Sequence, residues 1–145
     1  ARIDSNKKGQ VSEAAITTCL LKAGYIVLTP HGGNERYDLL IEDTDGRFWR
    51  IQCKSAWIDK ECTVLKFDTA NHNVTGIKRD WRHYRGQCDY FALYSAELDK
   101  VYLVPVDEVG LTRAHLRLTA PKTNNQFGYR MASDYEMTAL EYQQQ

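Results

Sequence analysis

No stretch of this 145-residue chain is apolar for long enough to cross a bilayer, and no secretory leader pattern opens it. A membrane-spanning or exported protein is therefore not expected, and a cytoplasmic one is. Nor is there any excess of one charge, since nineteen basic and nineteen acidic side chains cancel. Bulk attraction to nucleic acid is thereby excluded, and any such binding must come from local clusters, because phosphate neutralisation supplies much of the affinity. The four cysteines, Cys19, Cys53, Cys62 and Cys88, lack C-x-x-C spacing, and adding His72 and His83 completes no structural zinc pattern. Reduced structural thiols are expected rather than a disulfide framework. Repeats and composition breaks are also missing, so one domain over 1–145 is expected. Its apolar fraction of 43% and charged fraction of 26% suit a folded core.

The patterning that is present predicts an α/β chain. Val11, Ala15, Ile16, Cys19, Leu20 and Ala23 recur at helical steps, so Lys8 to Ala23 is predicted helical, with Gly24 as its stop. β-rich runs follow at Tyr25 to Thr29, Tyr37 to Ile41 and Phe48 to Ala56, the last two joined by the turn Asp43 to Gly46. Further strands are expected at Thr63 to Phe67, Asp89 to Ser95 and Lys100 to Pro105. Ser133 and Glu136 have capping-box spacing, which predicts a last helix carrying Met137, Leu140 and Tyr142.

Within that frame, Glu13 lies on the helix, Asp38 opens one strand, and Gln52, Cys53 and Lys54 sit mid-strand in the next. Side chains of a strand alternate, so Gln52 and Lys54 share one face and Cys53 takes the other. Two carboxylates, a neutral oxygen donor and an ammonium gathered at a sheet edge can hold Mg²⁺ and a scissile phosphate. A DNA-cutting enzyme is the leading reading. Mg²⁺ needs only one or two carboxylates because it retains waters. Asp38 is the best ligand candidate, joined by Glu13 and by either the Gln52 amide or the Cys53 carbonyl. Lys54 can orient water, compensate phosphate charge or act as base. Taken singly, each residue also has a structural explanation. Glu13 suits the start of a helix, Asp38 a turn, and Q-x-K a solvated strand face. Their joint order on helix, strand and hairpin is what favours chemistry.

These residues carry a resemblance to the PD-(D/E)XK nuclease superfamily, and within it to small endonucleases encoded in group I introns of cyanobacterial type. It rests on Gly9 with Glu13, Tyr37 with Asp38, Arg50 to Ala56 (RIQCKSA), Tyr84 to Tyr94, Val101 to Pro105, Asn124 to Gln126 and Ala132 to Tyr135. The resemblance implies a restriction-endonuclease-like core, a central mixed β-sheet flanked by helices. It implies catalytic roles for Glu13, Asp38, Gln52 and Lys54, and Mg²⁺ as cofactor with Mn²⁺ as substitute. Two departures stand out. Tyr37 replaces the proline before the acidic residue, and Gln52 replaces a carboxylate, which leaves the number of bound metals open. The activity implied is cutting of both strands of double-stranded DNA at a long pseudo-palindromic site in intron homing. A Holliday junction resolvase, a restriction endonuclease and a catalytically silent DNA-binding relative share the core; a resolvase usually carries more positive charge.

For DNA contact, Lys78, Arg79, Arg82 and Arg85 surround Trp81, His83 and Tyr84 in one short segment. The same segment also suits a solvated helix face with Trp81 and Tyr84 packed inward. Arg47 and Arg50 alternate with aromatics beside the hairpin; Lys122, Arg130 and Asn124 to Gln126 are weaker candidates. No helix-turn-helix or zinc finger is visible, and one such domain spans roughly 10 bp of duplex. The family resemblance implies oligomers on longer sites, so a homotetramer built as a dimer of dimers is expected.

Overall fold

The computed structural model describes residues 4–32, 35–69, 87–109, 113–120 and 129–137. A single α-helix, α1 (Ser5–Lys22), precedes three strands, β1 (Ile26–Leu28), β2 (Leu39–Glu42) and β3 (Phe48–Ile58). β4 (Val64–Asp68), β5 (Tyr90–Ser95), β6 (Lys100–Pro105) and β7 (Arg113–Arg117) follow, with short 3-10 turns after β6 and near the end. The helix begins one turn earlier than periodicity predicts. Asp4 caps it, its carboxylate accepting from the Lys7 N–H at 2.8 Å. The Gly24 stop is as expected, at φ +95°, where a side chain would be strained.

β3 is the axis of the fold. It pairs antiparallel with β2 from Phe48 to Ile51 and with β4 at Trp57 and Ile58. Its other edge runs parallel to β5 from Ile51 to Ala56, and β5 pairs antiparallel with β6. The sheet is thus mixed, as expected. Among the described residues only α1 flanks it as an α-helix. Ser12, Ile16 and Leu20 of α1 are buried at successive turns, and Ile16 and Leu20 pack on Leu39, Ile41, Ile51, Ala92 and Val101. The opposite face is covered by β4 and β7: Leu65, Phe67, Ala114 and Leu116 meet Phe91, Leu93, Tyr102 and Val104. Phe67 and Phe91 touch edge-to-face, 5.9 Å between ring centres.

Two expectations change. β7 was not anticipated, although Ala114 and Leu116 point inward between outward Arg113 and His115, the alternation of a half-buried strand. Ser133 does not cap a helix at Glu136. It lies inside the 3-10 turn Ala132–Asp134, and Glu136 forms an isolated antiparallel bridge with Tyr102. The Glu136 carboxylate pairs with Lys100 at 3.1 Å and the Met137 N–H donates to the Val101 carbonyl. The ion pair therefore claims the carboxylate a capping box would use, and the strand edge holds the chain extended there. Leu140 and Tyr142 lie outside the described residues. All four cysteines carry free thiols, and no helix among the described residues is long and apolar enough to span a membrane.

Candidate active site

A gap in the pairing of β3 creates the site. On one edge β2 ends at Ile51 and β4 begins at Trp57, so the intervening residues meet no strand there. Along an antiparallel edge, alternate residues aim both N–H and C=O outward to the same side. Ile51 does so towards β2, its carbonyl accepting from the Asp38 N–H at 2.8 Å. Two residues on, Cys53 therefore points its N–H and C=O into the gap. Asp38, just before β2, closes half of it: Oδ2 accepts the Cys53 N–H at 2.8 Å. The other carboxylate oxygen is not used in that bond. Loss of a ladder partner thus leaves a carboxylate and a backbone carbonyl side by side at an open sheet edge.

Glu13 arrives from α1, one residue beyond Ser12. The Ser12 and Ser55 hydroxyls are hydrogen-bonded at 2.6 Å, fixing this part of the helix against β3. Together Glu13, Asp38, Gln52, Cys53 and Lys54 line one open cleft of about 500 Å³, whose helix wall also carries Asn6, Gly9 and Gln10. All five residues singled out from the sequence are thus brought together. Gln52 and Lys54 alternate with Cys53 as expected. Lys54 lies over the Phe91 ring at 6.0 Å on the β4 side, whereas Cys53 packs against the α1-side core.

Two neighbouring carboxylates and an ammonium set the electrostatics of the cleft. Partial burial raises the Asp38 carboxyl above its usual range, against the lowering effect of the Cys53 N–H and of Lys54. Glu13 is raised first by desolvation and then by the negative charge of Asp38. Burial lowers Lys54, while Asp38, Asp68 and Cys88 oppose that shift. The Cys53 thiol is pushed far up by burial, Asp38 and Glu13, so it stays protonated and offers no thiolate. Among the described residues no three His, Cys, Asp or Glu side chains gather to hold a metal. Two repelling carboxylates with neutral oxygens nearby form a hard donor set, which fits a cation such as Mg²⁺ that keeps several waters.

Of the residues nominated for DNA contact, Arg47 is exposed and stacks on Trp49, its guanidinium carbon 4.6 Å from the ring centre. Arg50 is engaged by Asp89: Nε donates to Oδ2 at 3.2 Å, Nη2 to Oδ1 at 3.1 Å, and its backbone N–H to Oδ2 at 2.7 Å. That pair ties the start of β5 to β3, so much of the Arg50 fork serves the fold. Lys78, Arg79, Arg82 and Arg85, with Lys122 and Asn124 to Gln126, lie outside the described residues. Arg130 is exposed, and its carbonyl accepts the Arg117 N–H at 2.6 Å. Sequence reasoning missed Arg113, which is held by Asp68 at 3.2 Å, stacked on Trp57 and largely exposed. Asn6, Gln10 and Ser12 of the cleft were missed too. Their signal was the helical spacing that places Asn6, Gln10 and Glu13 on one face.

Among proteins with curated descriptions, none matches this sequence. The solved structure of the bacterial homing endonuclease I-Ssp6803I is similar, with a TM-score of 0.67 and 27% sequence identity over 92% of this chain and 89% of that one. The model of the PD-(D/E)XK endonuclease family matches residues 3–138. A match of that extent, over a chain whose helix, hairpin and open strand edge carry Glu13, Asp38, Gln52 and Lys54, places this protein in the PD-(D/E)XK endonuclease family.

Proposed function

We propose that this nuclease cuts both strands of double-stranded DNA at a long, pseudo-palindromic target in intron homing, with Mg²⁺ as its ion and Mn²⁺ as a substitute. The observation that carries the reading is the convergence of Glu13, Asp38, Gln52, Cys53 and Lys54 where one edge of β3 lacks a strand partner between β2 and β4. Likeness to a structure described as a homing endonuclease supports the biological setting. Asp38 and Glu13, with the Cys53 carbonyl and the Gln52 amide, would hold the cation, which supplies Lewis-acid stabilisation of phosphoryl charge. Asp38 is pinned by the Cys53 N–H, so its free oxygen is preset. Lys54 is held against Phe91 and directed at the cleft, where its ammonium contacts the scissile phosphate and orients the attacking water. Arg47, and Arg50 with whatever donor capacity Asp89 leaves, contact flanking phosphates, joined by Lys78, Arg79, Arg82 and Arg85.

Cleavage of a randomised duplex library in Mg²⁺, with sequencing of the cut ends, tests this. Wild type is expected to cut at one long near-palindromic site. Ca²⁺ is expected to support binding without cutting, because it coordinates at longer distance with looser geometry. Equal cleavage in Ca²⁺ and Mg²⁺ would count against the metal site.

The assembly proposed is a homotetramer, a dimer of dimers. One domain reaches roughly 10 bp, too little for a long target. Ile26 and Phe48 lie on one cross-strand row through Glu42, on the face opposite α1, and are 57% and 56% exposed. With Leu28, 41% exposed, they place three apolar side chains around Glu42 on that face, a patch suited to a subunit contact. Sedimentation should give four times the chain mass. A monomer both with and without DNA would remove the proposal.

A further inference from the structure

Gly9 stands in the second turn of α1, well inside the helix. Glycine is the poorest ordinary residue there, because it loses the most backbone freedom on folding. Such a residue is usually explained by another part of the protein approaching too closely for a side chain. That explanation fails here: a Cβ built on Gly9 would meet no atom within 4 Å among the described residues. Nor does Gly9 end the helix, which continues to Lys22. What Gly9 does face is the cleft. It lines that wall with Asn6, Gln10 and Glu13, the set that helical spacing brings to one side.

Among the described residues nothing fills the space over Gly9, and that space is the cleft. We propose that Gly9 is a positioning residue, leaving the α1 wall open so that the sugar–phosphate backbone of the strand being cut lies directly against the helix. Asn6 and Gln10 flank the bare patch, and their side-chain amides donate to the phosphate oxygens beside the scissile one. This inference rests on the DNA-cutting reading above. A side chain at Gly9 would lift the strand away from Asp38 and Lys54, less for a methyl than for a longer side chain, and misplacement by about 1 Å costs about 100-fold in rate.

The test uses a duplex that the wild-type protein has been shown to cut, with Gly9→Ala and Gly9→Leu made in the full chain. Both substitutions favour the helix, so melting temperature should stay level or rise. kcat/KM should fall by about 10-fold for Ala and about 100-fold for Leu, and the Kd for the same duplex in Ca²⁺ should weaken in the same order. Opposite movement of stability and cleavage is what a merely structural glycine would not produce. Wild-type cutting and binding by both variants overturns the inference. Lys54→Ala on the same duplex separates the two levels of argument. If it is inactive while the Gly9 variants cut normally, only the role of Gly9 falls. If it cuts normally, the assignment of the site falls with it.

Discussion

Lys54→Ala should fold and bind DNA much like the wild type while cutting about 100- to 10,000-fold more slowly, the range expected when a positioned proton-handling or charge-stabilising group is lost. The expectation follows from where the side chain sits. Its ammonium lies over the Phe91 ring, 6.0 Å from the ring centre, and the side chain lines the cleft that holds Asp38. Burying an ammonium is unfavourable and only partly offset by Asp38 and Asp68, which is why its pKa is lowered. Holding a partly buried ammonium in that position is a poor source of stability. Truncation leaves some space beside Phe91, so Lys54→Met, which preserves the stem and removes the charge, is the better-packed companion. Both variants should retain a single cooperative unfolding transition and lose cleavage together. Single-turnover cleavage on saturating enzyme separates the chemical step from binding. Wild-type rates for either variant would show that the ammonium takes no part in the reaction.

The site could be located in the sequence because its residues violate the pattern around them. Ile51 and Ala56 mark β3 as a buried strand, so Gln52 and Lys54 between them demanded an explanation. Alternation gave their shared face without any structure. The gap beside them was invisible, because it depends on where pairing with β2 stops and pairing with β4 starts, and strand ends are set by pairing rather than by composition. Hence Asp38 was expected to open β2. It actually stands just before that strand, where its carboxylate takes over the bond a neighbouring strand would have made to Cys53. Arg50 shows the opposite limit. Its alternation with aromatics suggested phosphate contact, but Asp89, thirty-nine residues away in sequence, claims much of its fork. The strand β7 was legible in Ala114 and Leu116 alone, a period too short to stand out among charged neighbours. The Ser133 and Glu136 pair carried a local helix signal that a tertiary contact overrode, because Lys100 and the edge of β6 offered Glu136 and Met137 better partners.

Asp38→Asn should abolish metal-dependent cleavage while leaving the protein at least as stable as before. The amide oxygen can still accept the Cys53 N–H, so the bond that bridges the gap is kept. What disappears is a half-buried negative charge that repels Glu13. Both carboxyls titrate higher in the folded chain than their ordinary values of 3.8 and 4.5. As pH rises through that range the unfolded chain releases its protons first, so the stability tied to these two groups is greatest in acid. It then falls until the raised folded values have been passed. At neutral pH the wild type therefore carries the full unfavourable contribution, and the variant carries only the part that burial imposes on Glu13. A bound divalent cation removes the same contribution by a different route, and stabilises the folded state increasingly as its concentration rises above its Kd. Melting curves at neutral pH should accordingly show the wild type rising with Mg²⁺ and the variant starting level or higher but not responding. Cleavage should fall by more than the roughly 10- to 100-fold typical of losing a partner that only orients a metal ligand. If the variant responds to Mg²⁺ as the wild type does, the cation is held elsewhere. If instead it melts well below the wild type, the Asp38 charge contributes to the fold and the trade of stability for function at this edge is not real.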